Sequence, residues 1–178
     1  MATFRKDRRV VICYEDEMTS QLTPTLTRMW SLRKHQPEPG MWVGTTQKTH
    51  IFGALNATTG KFVSMQANWI NAVSFIRFLR RIKSVYNNKR VIMILDNARW
   101  HKAKKLKRIL KKFGIRFVFL PPYCPMMNPV EKVWKLYRCM VTHNYFHRHL
   151  DRLIKATADF FRSTKAFQSI LRSYCKIC

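Results

Sequence analysis

Acidic residues are scarce in this 178-residue chain. Nine Asp and Glu stand against 34 Lys and Arg, and the formal net charge is +25. So large an excess of positive charge predicts a polyanionic partner. It argues against a glycosidase, which also uses paired carboxylates but has no use for such a charge. Five of the nine acids fall in three short motifs, at positions 15–17, 96 and 131, and we therefore treat them as candidates for a functional site.

The chain also lacks long apolar runs and a regular set of cysteines. No run approaches the length of a membrane span, and the start, MATFRKDRRV, has no signal-peptide core. Five cysteines without regular spacing predict a reducing compartment. The terminal Cys175 and Cys178 have no second pair and no nearby His, so we expect free thiols rather than a zinc site. The apolar fraction of 47% predicts one globular domain over residues 1–178.

Two apolar runs predict strands that end in carboxylates. The run 91–95 in VIMILDNARWHK is typical of a strand covered on both faces, and Asp96 ends it, where parallel strands present functional groups. The alternative is that Asp96 or Asn97 merely caps the next helix. In RVVICYEDE, a first strand to about Asp16 places that residue on the face opposite Glu15 and Glu17.

The stretch LPPYCPMMNPVEKVWKLY, residues 120–137, predicts the start of a helix. Asn128 can cap the helix, Pro129 fits the first helical position, and Glu131 falls third. Val133 and Trp134 belong to its apolar face. The alternative to a functional Glu131 is a capping box, in which its carboxylate reaches back to the cap. Three carboxylates at two strands and one helix start suit a pair of Mg²⁺ ions, which prefer oxygen ligands.

These motifs resemble the mariner-like transposases and their bacterial insertion-sequence relatives, which are DDE enzymes on an RNase H-like fold. The resemblance covers roughly residues 10–154, and 34 residues separate Asp96 from Glu131, the spacing of the insertion-sequence branch. The residues that carry it are Asp16-Glu17, Leu95-Asp96-Asn97 with His101, Pro121-Pro122-Tyr123, Pro125, and Asn128-Pro129-Val130-Glu131 with Trp134. Two departures leave the acids intact: Cys124 stands where serine is usual, and Met126-Met127 replace an acidic-apolar pair.

The resemblance implies that Asp16, Asp96 and Glu131 are catalytic residues and the ligands of two Mg²⁺ or Mn²⁺ ions. The implied activity is DNA phosphodiester cleavage followed by strand transfer, without a covalent protein intermediate. Supporting roles fall to Asn128, to Asn97 and to His101. Asn97 would orient Asp96, hydrogen-bond to DNA or cap the following helix. His101 would contact a phosphate or stabilise a metal ligand, and the alternative for His101 is a structural role. If Asp16 is the first ligand, we expect it beside Asp96, with both neighbouring glutamates pointing elsewhere.

The remaining pattern predicts an α/β fold: a mixed five-stranded sheet with helices on both faces. A hairpin (49–55 and 61–66) precedes a helix from Asn71 to about Tyr86, and a strand covers 115–120. The expected inward residues of that helix are Val73, Ile76, Leu79 and Ile82. Those of the next helix, which Gly114 ends, are Leu106, Ile109, Leu110 and Phe113. Two short helices between about 149 and 175 would pack through Leu153, Phe160, Phe161, Phe167 and Leu171.

Basic side chains predict where DNA would bind. The helix after Asp96 has an acid-free face, for which we prefer phosphate binding to a merely solvated role. Its residues are Lys102, Lys104, Lys105, Lys107, Arg108, Lys111 and Lys112. The predicted loop 17–48 carries Arg28 and Arg33 around Trp30. The resemblance implies that this segment is an insertion that contacts DNA or a partner subunit. The alternative is a folded flap with Trp30 in the core.

The expected partners are DNA, at element ends and at the target, and a second copy of the chain on that DNA. We expect no N-terminal helix-turn-helix domain within residues 1–178. Recognition of the element ends would then come from a separately encoded half, from a part of the protein outside these residues, or from nothing at all. The alternative function is a non-catalytic basic DNA-binding remnant. We expect localisation with the DNA, in the bacterial cytoplasm or the eukaryotic nucleus, and not at a membrane.

Overall fold

Five strands form one mixed sheet in the computed structural model, which describes residues 9–28, 30–31, 33–34, 46–122, 125–164, 166 and 168–174. The strands are β1 (Val10–Gln21), β2 (Lys48–Asn56), β3 (Phe62–Ala67), β4 (Arg90–Leu95) and β5 (Ile115–Phe119). Their order in the sheet is β3-β2-β1-β4-β5. β1 and β4 are therefore neighbours, as predicted.

The sheet combines an antiparallel half with a parallel half. β2 and β3 form the predicted hairpin, and β2 also pairs antiparallel with β1. In the hairpin turn, Asn56 Oδ1 accepts hydrogen bonds from the backbone N–H groups of Thr58 and Thr59, and Gly60 takes a φ of 72°. β1 with β4, and β4 with β5, pair in parallel. The fold class is thus confirmed.

β1 is longer than the sequence predicted. The expected loop begins inside it, because Glu17–Gln21 continues as strand and pairs with Phe52–Lys48 of β2. The parallel pairing with β4 stops earlier, at Tyr14 opposite Ile94. Asp16 therefore lies inside β1, beyond the residues that pair with β4 but within the part that still pairs with β2.

Within the described residues, five α-helices cover the two faces of the sheet. They are α1 (Ala72–Val85), α2 (Lys104–Phe113), α3 (Val130–Tyr137), α4 (Leu150–Ser163) and α5 (Gln168–Tyr174). α1 and α2 pack on one face, in a core around Phe52, Phe75 and Phe78. α3, α4 and α5 pack on the other, in a core around Trp134 and Tyr137.

The capping of α1 was predicted correctly, and its buried face in part, since Leu79 and Ile82 are buried and Ile76 is partly buried against the same core. Asn71 accepts from the N–H groups of Val73 and Ser74. Val73 is 58% exposed, and Phe75 and Phe78 are buried beside the expected Leu79 and Ile82. The apolar stripe begins at Phe75 and recurs after three, four and seven residues, which lets both phenyl rings contact Phe52.

α2 is less buried than predicted. Only Leu106 is fully buried, and Ile109, Leu110 and Phe113 are partly exposed, because this helix packs on α1 and on the edge strand β5. Gly114 ends it with a φ of 64°, as predicted.

The C-terminal helices agree with the prediction where they are described. Leu153, Phe160, Phe161 and Leu171 are buried. Phe167, Cys175 and Cys178 lie outside the described residues. In the described part of the chain, no helix has the length and apolar character that spanning a membrane requires.

Candidate active site

Two of the predicted acids lie at corresponding positions of neighbouring strands, Asp16 within β1 and Asp96 directly after β4. Beyond the last parallel pair, Tyr14 and Ile94, Asp16 and Asp96 each come two residues later. Asp16 Oδ2 accepts a hydrogen bond of 2.9 Å from Trp134 Nε1 of α3. The Asp96 side chain is 56% exposed, and its Oδ1 accepts from the N–H of Ala98 at 2.9 Å. The parallel register thus brings the ends of these two motifs together.

Glu131 joins this group from the first turn of α3. It is exposed and lies one turn before Trp134, the residue that binds Asp16. Burial raises the pKa of Asp16 to about 7; the hydrogen bond from Trp134 opposes this shift, and the Glu131 carboxylate adds to it. Asp16 and Glu131 are therefore near enough to repel each other.

Asn128 connects the start of α3 to β1. Its side chain is buried; Oδ1 accepts from the N–H of Val130 at 3.2 Å, and Nδ2 donates to the carbonyl of Glu15 at 2.8 Å. Asn128 thus binds the first N–H group of α3 from one residue before the N-cap position, which Pro129 occupies instead of the first helical position predicted for it. Among the described residues, the Glu131 carboxylate makes no capping hydrogen bond. The capping-box alternative is therefore wrong, and capping of the helix does not occupy this carboxylate.

The opposite face of β1 carries a second acidic group. Glu15 is fully buried, and Glu17 Oε1 accepts from Trp100 Nε1 at 2.8 Å. His101 Nε2 lies 3.0 Å from Glu17 Oε1 and 3.6 Å from Glu15 Oε2. Burial, followed by the charges of Glu17, Asp16 and Asp96, raises the pKa of Glu15 well above its ordinary value. The predicted opposition of Asp16 to both glutamates is confirmed.

His101 links this second group to Asp96, which the sequence did not lead us to expect. Its Nδ1 lies 3.2 Å from Asp96 Oδ1, so Glu15 and Glu17 do not point away from Asp96. His101 is buried in a 3-10 turn, Arg99–Lys102, that precedes α2. Asn97 does not cap a helix; its Nδ2 donates to the carbonyl of Leu120 at 2.8 Å. Asn97 thereby ties the end of β4 to the segment that leads to α3.

These carboxylates have no basic partner. In the described part of the chain, no Lys or Arg forms an ion pair with Glu15, Asp16, Glu17, Asp96 or Glu131, and the ion pairs with His101 depend on its protonation. In a chain of net charge +25, this leaves negative charge that protein cations do not neutralise. Oxygen ligands with unbalanced charge fit hard divalent cations such as Mg²⁺ and Mn²⁺.

The predicted DNA-contact residues are all exposed. Lys102, Lys104, Lys105, Lys107 and Lys111 lie on the 3-10 turn and α2. Arg28 and Arg33 are exposed too, and Trp30 is 101% exposed. The alternative that placed Trp30 in the core is therefore wrong. Residues 35–45 of that segment, like Tyr123 and Cys124, lie outside the described residues.

Comparison with known proteins decides the family. Residues 11–154 match the family described as DDE superfamily endonuclease. The chain belongs to this family. It is 31% identical over 158 residues to an uncharacterized 39 kDa protein of insertion element IS630 from Shigella sonnei, covering 88% of this chain and 46% of that protein. It is 32% identical over 106 residues to the Sinorhizobium fredii protein y4pE/y4sA, covering 59% of this chain and 76% of that protein.

Solved structures place the DDE chain in the same fold. The Mos1 mariner paired-end complex with Mn aligns at a TM-score of 0.68 and 17% identity, covering 98% of this chain and 54% of that one. The HTLV-2 integrase catalytic core domain with magnesium, in its trimeric form, aligns at 0.57 and 10% identity, covering 85% and 82%. The mixed sheet with helices is thus the RNase H-like core of transposases and integrases.

The sequence did not indicate the roles of two residues at the site, Trp134 and Gly53. Trp134 was expected in the core, where it lies, but its N–H group also holds Asp16. Gly53 pairs with Asp16 across β1 and β2, and a Cβ there would come within 2.5 Å of the rings of Phe62 and Trp134. A glycine inside the apolar run IFGAL was the available signal of such a close approach.

Asn128 gives a test of how the site is held. Replacing it by Ala should lower the free energy of unfolding by about 1–3 kcal/mol, because the buried Glu15 carbonyl and the Val130 N–H lose their partner. Chemical denaturation measures this change.

Asn128→Asp separates the two hydrogen bonds, because it keeps the acceptor for the Val130 N–H group but loses the donor to the Glu15 carbonyl. If the connection to β1 matters, this variant should also be destabilised. Wild-type stability in both variants would contradict the role given to Asn128.

Proposed function

We propose that this domain cleaves DNA phosphodiesters and transfers the resulting strand, with Asp16, Asp96 and Glu131 as ligands of two Mg²⁺ or Mn²⁺ ions. The observation that carries the proposal is the placement of Asp16 beside Glu131, with Asp96 at the corresponding position of the neighbouring strand, in a DDE family member. None of the described Lys or Arg side chains pairs with these acids. Mn in the Mos1 complex and magnesium in the integrase core support either ion here.

Each residue has a definite task in this proposal. Bound divalent ions would activate water and neutralise charge developing on phosphorus. Trp134 holds the Asp16 carboxylate through its N–H group. The Ala98 N–H and His101 Nδ1 orient Asp96 Oδ1. Asn128 fixes the start of α3 and hence the direction of Glu131, because a shift of one residue would turn that side chain by about 100°.

The exposed lysines of the 3-10 turn and α2 would bind the DNA backbone. Lys102 and Lys104 follow Asp96 within eight residues, so DNA held by these lysines would lie near the carboxylates. Lys-phosphate contacts position the backbone without reading its sequence. Arg28 and Arg33 are further exposed cations for DNA or for a second subunit. We propose this basic face as the electrostatic part of DNA binding.

Recognition of element ends belongs to the larger assembly. The chain spans 46% of the Shigella sonnei relative and 54% of the Mos1 chain. Mos1 is seen in paired-end and strand-transfer complexes, which supports a pair of copies acting on DNA. We propose that a helix-turn-helix part distinct from residues 1–178 supplies recognition of the ends.

Neutralising one catalytic acid should separate cleavage from binding. Asp96→Asn and Glu131→Gln should each abolish Mg²⁺- or Mn²⁺-dependent nicking of plasmid DNA, because the amides keep the shape but lose the charge that holds the cations. DNA affinity should survive, as measured by fluorescence anisotropy.

Asp151→Asn, at an exposed acid on α4, is the control and should nick at the wild-type rate. Cleavage retained in Asp96→Asn or Glu131→Gln would remove the mechanism. Wild-type protein that binds DNA but never nicks it would favour the alternative of a non-catalytic DNA-binding domain.

The basic face should dominate the salt dependence of binding. Replacing Lys104, Lys105, Lys107 and Lys111 by Gln should flatten the plot of log K against log[salt] by about 0.9 for each phosphate that the protein no longer neutralises. Titrations at several salt concentrations measure the slope.

The control replaces four cations of α1, Arg77, Arg80, Arg81 and Lys83, by Gln, which removes equal charge from another helix. A smaller change in slope is expected there. Equal changes in both variants would mean that net charge, rather than the α2 face, sets the affinity.

A further inference from the structure

His101 faces negative oxygen on both sides of its ring. Nδ1 lies 3.2 Å from Asp96 Oδ1, and Nε2 lies 3.0 Å from Glu17 Oε1 and 3.6 Å from Glu15 Oε2. A neutral imidazole carries one N–H, so one nitrogen would present its lone pair to a carboxylate. The pocket therefore needs a further cation, either a proton on the ring or on a carboxylate, or a metal ion at one nitrogen.

Glu15 distinguishes these two cations. It is fully buried, and among the described residues neither of its carboxylate oxygens accepts a hydrogen bond. A proton on His101 would satisfy Glu17 and Asp96, yet it would leave Glu15 without a partner at hydrogen-bond distance. A buried carboxylate in that condition is costly, and a protonated Glu15 would still leave both of its buried oxygens without a hydrogen-bond partner among the described residues. A metal ion would contact Glu15, Glu17 and His101 together.

We propose that Glu15, Glu17 and His101 Nε2 form a second metal site, which takes a divalent transition-metal ion such as Mn²⁺ or Zn²⁺. One ligand atom from each residue lies within 4.8 Å of the others. One imidazole with two carboxylates suits transition metals better than Mg²⁺, which prefers oxygen ligands alone. This site lies across β1 from Asp16 and is separate from the Asp16, Asp96 and Glu131 group.

The surroundings match those of a metal-bound histidine. With the ion at Nε2, Nδ1 carries the ring proton and donates it to Asp96, the carboxylate–histidine–metal arrangement common in metalloproteins. Trp100 donates to Glu17 Oε1 at 2.8 Å and so orients a second ligand. The site would thereby hold Asp96 in place through His101, which makes it a support for the neighbouring acids.

Electron spin echo spectroscopy of the full chain with Mn²⁺ tests the proposal, because a directly coordinated imidazole nitrogen modulates the echo and carboxylate oxygens do not. Mn²⁺ also avoids capture by the cysteines, since thiolates favour softer metals. Wild-type protein should show nitrogen modulation. Glu15→Gln, Glu17→Gln and His101→Gln should each reduce it severalfold or abolish it.

Asp16→Asn is the matched control, because it removes a carboxylate from the other face of the same strand and should keep the nitrogen modulation. Circular dichroism identifies which variants fold, and any one folded variant of the three ligands suffices. The proposal fails if wild-type protein shows no nitrogen modulation, which would leave a proton as the cation of this pocket, or if the modulation persists in a folded ligand variant.

Discussion

Repulsion among carboxylates is the constraint on which the site depends. Glu15, Asp16 and Glu17 alternate across one strand, and Asp96 and Glu131 approach from β4 and α3. Burial and neighbouring negative charge raise the pKa of Asp16 to about 7 and also raise the pKa of Glu15 well above its ordinary value. The described lysines and arginines pair with none of the five. This basic chain thus keeps its scarce acids together without neutralising their charge by the described Lys and Arg side chains.

Neutral hydrogen-bond donors hold the carboxylates and the nearby backbone in place against that repulsion. Trp134 donates to Asp16 on one face of β1, and Trp100 donates to Glu17 on the other. Asn128 ties the backbone of β1 to the start of α3, while Asn97 ties the end of β4 to the segment after β5. These contacts hold the carboxylates in place without cancelling their negative charge.

The sequence predicted the sheet, its helices and the opposite faces of Asp16 and Glu15, because apolar runs and strand alternation are local signals. It placed the end of β1 too early, since the continuation past Asp16 depends on pairing with β2, which is distant in sequence. The bridge from Glu17 through His101 to Asp96 was missed for the same reason. Assigning Asp16, Asp96 and Glu131 as ligands came from family resemblance, and it stays a prediction.

Anomalous diffraction at the manganese edge, from crystals of this chain soaked in Mn²⁺, tests the central claim most directly. The account predicts an anomalous peak in contact with the carboxylates of Asp16, Asp96 and Glu131, and its loss in crystals of Asp16→Asn. The absence of any peak at these three carboxylates in the wild-type chain, or a peak there that persists in Asp16→Asn, would contradict it.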